Sequence, residues 1–359
     1  MKAFAVASVI SIVVVVPMES RAQQAERVLT RTAAFEAEPF TRIRGIQEMA
    51  DGKVLVADQI ESAVYLVDFA TGTRSRVGNE GAGPQEYRQP TGLHPFRGDS
   101  ALLMDLPNSR IAVLDGAGRV ARTEPLFRPG MSIPTGADRW GNLYWDHISS
   151  VRLAKRENPS ADQAPVARLS QATNEIDTLA FLTIPGGVNP SAFPDWDVWA
   201  VSLDGRIAIV RNQREYRLDW IEADGRQTHG PAIPFEPIRV TDRDRDLLRA
   251  RPGGGRAAGV AMGRGQQASQ PPLLDVPEHF PAARQRGLWI APDGRAFVER
   301  QLSLTDTRPQ LDVFDTTGRR TAVVRLPEGR RIIGIGRTGL YAVRVDGDDL
   351  LWLERFDTR

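Results

Sequence analysis

The hydrophobic residues of this chain recur in short apolar or alternating stretches rather than at helical spacing. Typical stretches are "VLVAD" (54–58) and "AVYLVD" (63–68), and the turn glycine Gly52 precedes the first of them. Strand-length apolar runs separated by glycine and aspartate turns indicate antiparallel hairpins. The pattern therefore predicts an all-β chain.

One hairpin unit recurs along the whole chain. Residues 51–72 align with residues 98–118 at an offset of 47, which places Asp58 on Asp105. Looser copies follow, and a spacing of about 45 residues is typical of one four-stranded propeller blade. We therefore predict a six-bladed β-propeller with four antiparallel strands per blade. The turn glycines of the units are Gly52, Gly98, Gly141, Gly205, Gly294 and Gly339.

The two ends of the chain complement each other in this pattern. The last unit has sequence for only three strands before Arg359, whereas "ERVLTRTAAF" (26–35) is a strand without a unit of its own. We predict that this N-terminal strand becomes the outer strand of the last blade and closes the ring. Closure removes an open sheet edge that would otherwise promote aggregation.

Two segments do not fit the repeat. Residues 1–22 combine Lys2, an apolar run over 3–16 and a small-residue cleavage site, which predicts a signal peptide followed by a single domain over 23–359. The second segment is an insertion at about 241–285. Its beginning, 241–251, predicts a short helix, and its Gly-, Ala-, Gln- and Pro-rich part, 252–272, predicts a mobile loop.

The amino-acid composition bears on the cellular location and the partners of the protein. The chain has no cysteine, so neither a disulfide nor a lipid-anchor cysteine is expected, and with the signal peptide this predicts a periplasmic or secreted protein. The apolar run is too short for a membrane anchor. The formal net charge is +1, which gives no basic surface for nucleic acid or anionic membranes.

At this level the sequence resembles a known group of proteins. "DLPNSRIAVLDGAG" (105–118) resembles the NHL repeat, and residues 78–93 resemble the segment between blades of exported bacterial six-bladed β-propellers. Residues 326–357 are similar to the closing blade of that group. Gln85 and Tyr87 depart from its usual glycine and phenylalanine. The resemblance implies the propeller fold, and it implies little about function because most of the group is uncharacterised.

Several motif-like stretches are better explained by structure. Gly78 and Gly83 have the spacing of a phosphate-binding loop, but Pro84 and Gln85 replace its lysine and hydroxyl residue, so we interpret the segment as a joint between blades. "DRDRD" (242–246) begins like a calcium loop and lacks the required glycine and glutamate. The four histidines are scattered, which argues against a zinc site.

One set of positions suggests a ligand site. The residue that ends the second strand of each unit should circle the channel on one face of a propeller. We predict a charge-split pocket there for a small anionic or zwitterionic molecule, or for a protein partner. The alternative for the two aspartates is a bond to the backbone of the next turn. The predicted positions are Asp58, Asp105, His147, Arg211, Arg300 and Arg344.

These observations favour an exported, non-catalytic binding protein. The alternative is a metal-dependent hydrolase or lyase resembling gluconolactonases, which hold a divalent cation in the channel with Glu, Asn and Asp. A scaffold that uses the 252–272 loop is a third possibility. The candidate oxygen ligands for the enzymatic alternative are Asp58, Asp105, Asp146 and Glu299.

Overall fold

The computed structural model describes residues 26–126, 130–186, 191–213, 215–250 and 274–359. The predicted signal peptide and the predicted mobile loop over 252–272 lie outside these residues. Within the described ranges no helix is long and apolar enough to cross a membrane.

The predicted six-bladed propeller is confirmed. Every blade is a four-stranded antiparallel sheet, and in the first three blades the strands follow one another in chain order from the innermost to the outermost. Blade 1 consists of Ile43–Glu48, Val54–Asp58, Ala63–Asp68 and Thr73–Val77. Blade 2 consists of Leu93–Phe96, Ser100–Asp105, Arg110–Leu114 and Val120–Pro125. Blade 3 consists of Gly136–Ala137, Leu143–Asp146, Gln163–Leu169 and Ile176–Thr183.

The remaining blades repeat this order and include the N-terminus. Blade 4 consists of Val198–Val201, Ile207–Asn212, Tyr216–Ile221 and Gln227–His229. Blade 5 consists of Ala283–Ile290, Ala296–Arg300, Gln310–Phe314 and Arg320–Arg325. Blade 6 consists of Arg330–Ile335, Leu340–Val345, Leu351–Phe356 and, as its outer strand, Arg31–Ala34.

The N-terminal strand therefore closes the ring, as the sequence predicts. Arg31–Ala34 pairs antiparallel with Leu351–Phe356. The segment contributes more than expected, because a preceding short strand, Arg27–Val28, pairs in parallel with the outer strand of blade 5. One continuous stretch thus ties the last two blades together.

The hydrophobic core lies between the blades. Each neighbouring pair of blades encloses a cluster of buried apolar side chains, such as Leu55, Tyr87 and Leu103 between blades 1 and 2. Glycine lets the innermost strands approach closely: a Cβ atom on Gly45 would lie 2.7 Å from the backbone nitrogen of Leu93, and one on Gly334 would lie 2.6 Å from Ile46. The six inner strands can therefore form a narrow ring.

The glycine-rich segment 78–93 is the joint between blades 1 and 2, as interpreted from the sequence. Arg110 holds it by donating to the backbone oxygens of Ala82 (2.9 Å) and Glu86 (2.6 Å). Gly78 has φ +66°, and a Cβ there would lie 2.7 Å from the oxygen of Gln85. This position needs glycine because of its backbone conformation.

The predicted helix of the insertion is present as α2, Asp242–Ala250. Thr241 and Asp244 cap it reciprocally: the Asp244 carboxylate accepts from the Thr241 backbone N–H at 2.9 Å, and Thr241 Oγ1 accepts from the Asp244 N–H at 3.2 Å. The buried Asp244 also accepts from the backbone N–H of Leu304 at 2.7 Å. Its carboxylate therefore anchors the helix to the propeller. The other helices are α1, Ile148–Ala154, and a 3₁₀ turn, Leu106–Asn108.

Candidate functional site

The structure places the six predicted positions at equivalent points, one strand away from the channel. Asp58, Asp105 and Arg300 are the last residues of second strands. The second strands pair with the innermost ones, so that Asp58 lies opposite Ile43 and Arg300 opposite Ala283. None of the six is among the residues that line the central cavity. The innermost strand of each blade lies between these positions and the cavity, and whether the six residues form a ligand site stays a prediction.

The two aspartates bind backbone and side-chain groups of nearby turns. Asp58 is fully buried and accepts from the N–H groups of Thr41 (2.6 Å) and Arg42 (3.1 Å). Asp105 is equally buried and accepts from Arg110 Nε at 2.9 Å. This is the turn-binding alternative considered from the sequence.

Two of the three predicted arginines donate hydrogen bonds to nearby carboxylates. Arg211 donates to Asp197 at 2.6 Å and to Asp219 at 2.9 Å. Arg300 donates to the buried Asp312 at 3.2 Å. These guanidiniums already have the carboxylate partners that a ligand would have to replace.

Arg344 and His147 are also in contact with protein groups. The Arg344 guanidinium lies 5.6 Å from the ring centre of Trp352 and 3.7 Å from the Glu36 carboxylate. His147 Nε2 accepts from Trp145 Nε1 at 3.1 Å, directly before α1. The six predicted side chains thus stay in separate blades.

A cavity of about 1460 Å³ occupies the centre of the ring and is lined by the innermost strands. Cavities that take small ligands usually measure roughly 300–1,000 Å³. Most lining residues are uncharged, and in blade 1 the charged ones, Arg44 and Glu48, lie near opposite ends of the innermost strand. Polar and aromatic lining residues include Arg44, Gln47, His94, Trp199, Arg286 and Trp289.

Five arginines gather near one end of this cavity in a cluster that we call the arginine mouth, and two of them, Arg44 and Arg286, line the cavity itself. Arg44, Arg284 and Arg331 are each the second residue of an innermost strand, in blades 1, 5 and 6. Arg42 precedes the strand of blade 1, and Arg286 lies two residues after Arg284. Blades 5, 6 and 1 are neighbours in the ring, and their innermost strands approach one another to within 8 Å between Cα atoms.

Most guanidiniums of the mouth have no carboxylate partner. Arg284 pairs with Glu299 at 2.7 Å, and Arg44 Nε donates to the neutral Gln59 amide at 2.7 Å. Within the described part of the chain, no carboxylate lies within 4.0 Å of the guanidiniums of Arg42, Arg44, Arg286 or Arg331. The arginines of the second strands, by contrast, each have a carboxylate within this distance. Four positive charges are therefore unpaired around one opening.

These charges influence one another. Desolvation at the mouth, followed by the charges of Arg284, Arg44 and Arg42, lowers the pKa of Arg331. The pKa of Arg44 is lowered by desolvation and then by Arg42 and Arg286. Guanidinium groups remain charged at neutral pH even so. The mouth is thus a site of mutual repulsion that an anion would relieve.

The backbone at Arg286 is unusual. Its φ is +61°, a left-handed conformation that side-chain-bearing residues rarely adopt. It lies in an irregular part of its strand, where pairing is interrupted between Ala283 and Leu288. Such conformations persist where the surrounding structure enforces them and are frequent at ligand sites.

An aromatic wall, formed by Trp196 and Trp199 of blade 4, lies beside the mouth. Gln285, between the two arginines of blade 5, donates to the backbone oxygen of Trp196 at 3.0 Å. Trp199 Nε1 donates to Asp146 at 2.9 Å, and the Arg152 guanidinium lies 4.8 Å from the Trp196 ring centre. This wall offers fixed apolar surface beside the arginines.

The candidate ligands for a divalent cation do not fit that role. Asp146 accepts from Trp199 and from the Ile148 N–H, and Glu299 pairs with Arg284. Burial raises the pKa of Glu299, and Arg284 partly opposes this shift. Among the residues that the structure describes, no three His, Asp or Glu side chains lie close enough together to hold a metal ion. The donor atoms needed by the gluconolactonase-like alternative are therefore dispersed over different blades and already bonded.

The arginine mouth has a signal of its own in the sequence. "RIRGI" (42–46) and "RQRGL" (284–288) share Arg-x-Arg-Gly followed by an apolar residue, and "RRIIG" (330–334) is a looser version. All three stretches begin innermost strands or lie just before them. The signal of the arginine mouth therefore lies in the innermost strands and not in the second strands of the repeat.

Comparison with known proteins supports the propeller fold and identifies no family. No protein-family profile matches the chain, and no curated protein matches it. A member of the DUF4221 family from Bacteroides vulgatus is similar in structure at 12% identity and a TM-score of 0.53, over 93% of this chain and 98% of that one. At such identity the likeness concerns the fold alone.

Two weaker similarities involve enzymes. The gluconolactonase XC5397 from Xanthomonas campestris has 12% identity and a TM-score of 0.47, over 93% of this chain and 96% of that one. The virginiamycin B lyase from Staphylococcus aureus has 11% identity and a TM-score of 0.41, over 92% and 89%. Neither is similar enough to bear on the chemistry of this chain.

Proposed function

We propose that this protein is a non-catalytic binding protein whose central cavity takes a small anionic ligand at the arginine mouth. The observation that carries the proposal is a set of four neighbouring guanidiniums without a carboxylate partner, of which Arg44 and Arg286 line a large cavity. Arginine binds carboxylates and phosphates through paired, charge-assisted hydrogen bonds, and these are strong where water is partly excluded. A binding role fits this arrangement because carboxylates near the arginines already have partners: Glu299 pairs with Arg284, and Asp146 accepts from Trp199.

A thermal-shift screen of anionic metabolites tests the proposal. The wild-type protein should gain melting temperature with at least one anion, because a ligand that binds only the folded state stabilises it. The double variant R44A/R331A should lose this gain. The control is R119A, since Arg119 is 77% exposed and pairs only with Asp115 on an outer turn. Equal gains in R44A/R331A and the wild type would refute the proposed site.

The enzymatic alternative leads to a different measurement. A hydrolase or lyase of that kind would require a divalent cation held by the protein. Metal analysis of the purified protein should find no stoichiometric calcium or zinc. A tightly held ion at one per chain would favour the enzyme.

We also propose that the protein is exported. The basic head, apolar run and small-residue cleavage site of residues 1–22 support this, together with the resemblance to exported bacterial propellers with NHL-like repeats. Expression of the full chain in a Gram-negative host should yield a periplasmic protein that begins near Gln23. Retention of the whole chain in the cytoplasm would contradict export.

A further inference from the structure

The number of unpaired charges at the arginine mouth limits the ligands that can satisfy it. This inference rests on the proposed function and concerns the class of anion. Arg44, Arg286 and Arg331 lie on the innermost strands of three neighbouring blades, and Arg44 and Arg286 line the cavity. Arg42 adds a fourth charge next to Arg44. A single carboxylate can make paired hydrogen bonds with one or two of these groups only.

The acidic groups at this end of the ring are already engaged. Asp58 accepts from four backbone N–H groups, Glu61 accepts from Tyr65 and Thr41, and Glu299 pairs with Arg284. On the opposite wall, Asp146 binds Trp199 and Asp197 binds Arg211. None of them is placed to compensate the remaining guanidiniums, so the ligand has to supply the missing negative charge.

The spacing of the arginines favours separate anionic groups on one molecule. Neighbouring innermost strands approach to within 8 Å between Cα atoms, and long arginine side chains can converge from there on groups a few bonds apart. A monocarboxylate would leave at least two guanidiniums repelling each other in a partly desolvated opening, which is costly. A molecule with several carboxylates would satisfy each arginine with its own partner.

We infer that the ligand of the arginine mouth is a polycarboxylate with two or, better, three carboxylate groups on a short flexible skeleton. The three blades each contribute at least one guanidinium to it. The aromatic wall of Trp196 and Trp199 contacts its hydrocarbon part. A tricarboxylate as small as tricarballylate carries all the groups required.

Calorimetric titration with three acids of one skeleton tests this inference. Butyrate, glutarate and tricarballylate place one, two and three carboxylates on propane. Each added carboxylate should raise the affinity about tenfold at low salt, because a charge-assisted hydrogen-bond pair contributes about that factor. R331A should weaken tricarballylate binding by about tenfold or more and butyrate binding by much less. R119A should bind all three acids like the wild type.

The outcomes separate the inference from the proposed function. Equal affinity for butyrate and tricarballylate, with both weakened by R44A/R331A, would overturn the inference and leave an anion site. Unchanged tricarballylate binding in R331A would also overturn it, since blade 6 would then take no part. Failure of all three acids to bind, while another anion stabilises the wild type but not R44A/R331A, would overturn only the polycarboxylate class. Failure of every anion would overturn the proposed function as well.

Discussion

At the scale of single residues, the role of an arginine in this protein depends on the strand that carries it. Arg300, on a second strand, contacts Asp312, which is fully buried and also accepts from Tyr216 at 2.7 Å. Arg331, on an innermost strand, has other guanidiniums as its charged neighbours. We therefore expect the first arginine to stabilise the fold and the second to be available to a ligand.

This difference predicts opposite effects of two similar substitutions. R300A should lower the free energy of unfolding by about 2 kcal/mol, because it removes a charged hydrogen-bond donor from a buried carboxylate. R331A should leave stability unchanged or raise it slightly, since it removes repulsion. Urea denaturation of both variants measures this. A loss in R331A as large as that in R300A would mean that Arg331 is structural.

The cavity histidine predicts a pH dependence. Burial lowers the pKa of His94 from 6.5 to about 4, so the folded protein keeps this imidazole neutral. Between pH 6.5 and about 4, this histidine binds a proton in the unfolded chain but not in the folded protein. The free energy of unfolding therefore falls as the pH drops through this interval. The loss should be of the order of 3 kcal/mol at most. Urea denaturation at pH 7.5 and 5 should show a fall that is clearly smaller in H94Q; the same fall in both would assign it to other groups.

At the scale of elements, the N-terminal segment connects blades that are far apart in sequence. Arg27–Val28 and Arg31–Ala34 join the outer edges of blades 5 and 6. Leu29, between the two strands, is buried in the cluster shared by these blades, and Phe35 is fully buried between blades 6 and 1. The segment therefore contributes hydrogen bonds and apolar contacts to both sheets.

Removal of this segment should open the ring. Deletion of residues 26–35 from the protein should lower the melting temperature by at least 10 °C, because it exposes an edge of blade 6 and removes buried apolar surface (on the order of 0.8 kcal/mol per buried methylene). Size-exclusion chromatography should show aggregation or oligomers that the complete chain does not form. A monomeric deletion variant with unchanged melting temperature would contradict closure by this segment.

At the scale of the whole molecule, repetition made the fold predictable from the sequence and made the site hard to find. The blade number, the closing strand, the joint at 78–93 and the helix near 242–250 all follow from local patterns of turns and apolar stretches. The position of the channel depends on which strand is innermost, and repeat spacing is the same for every strand of a blade. The sequence therefore predicts Asp58 and Arg300 at the channel, whereas Arg44 and Arg286 line the cavity.

The interactions of the arginines could not be read from the sequence either. Some ion pairs join residues from the two ends of the chain, such as Arg344 with Glu36 and Arg337 with Glu48, and these partners meet only in the closed ring. The sequence shows an excess of arginine over lysine along the whole chain and no means of separating paired from unpaired ones. Only the assembled ring distinguishes the arginine mouth from the other arginines.

Crystals soaked in sodium selenate would test the arginine mouth most directly, because selenium gives an anomalous signal and selenate is a tetrahedral dianion. We expect a selenium peak at the mouth, with selenate oxygens about 3 Å from the guanidinium nitrogens of at least two of Arg44, Arg286 and Arg331. Crystals of R44A/R331A should lack this peak while keeping any peaks at surface arginines such as Arg119. An empty mouth in the wild type, with selenate bound at other arginines, would contradict an anion-binding site in the central cavity.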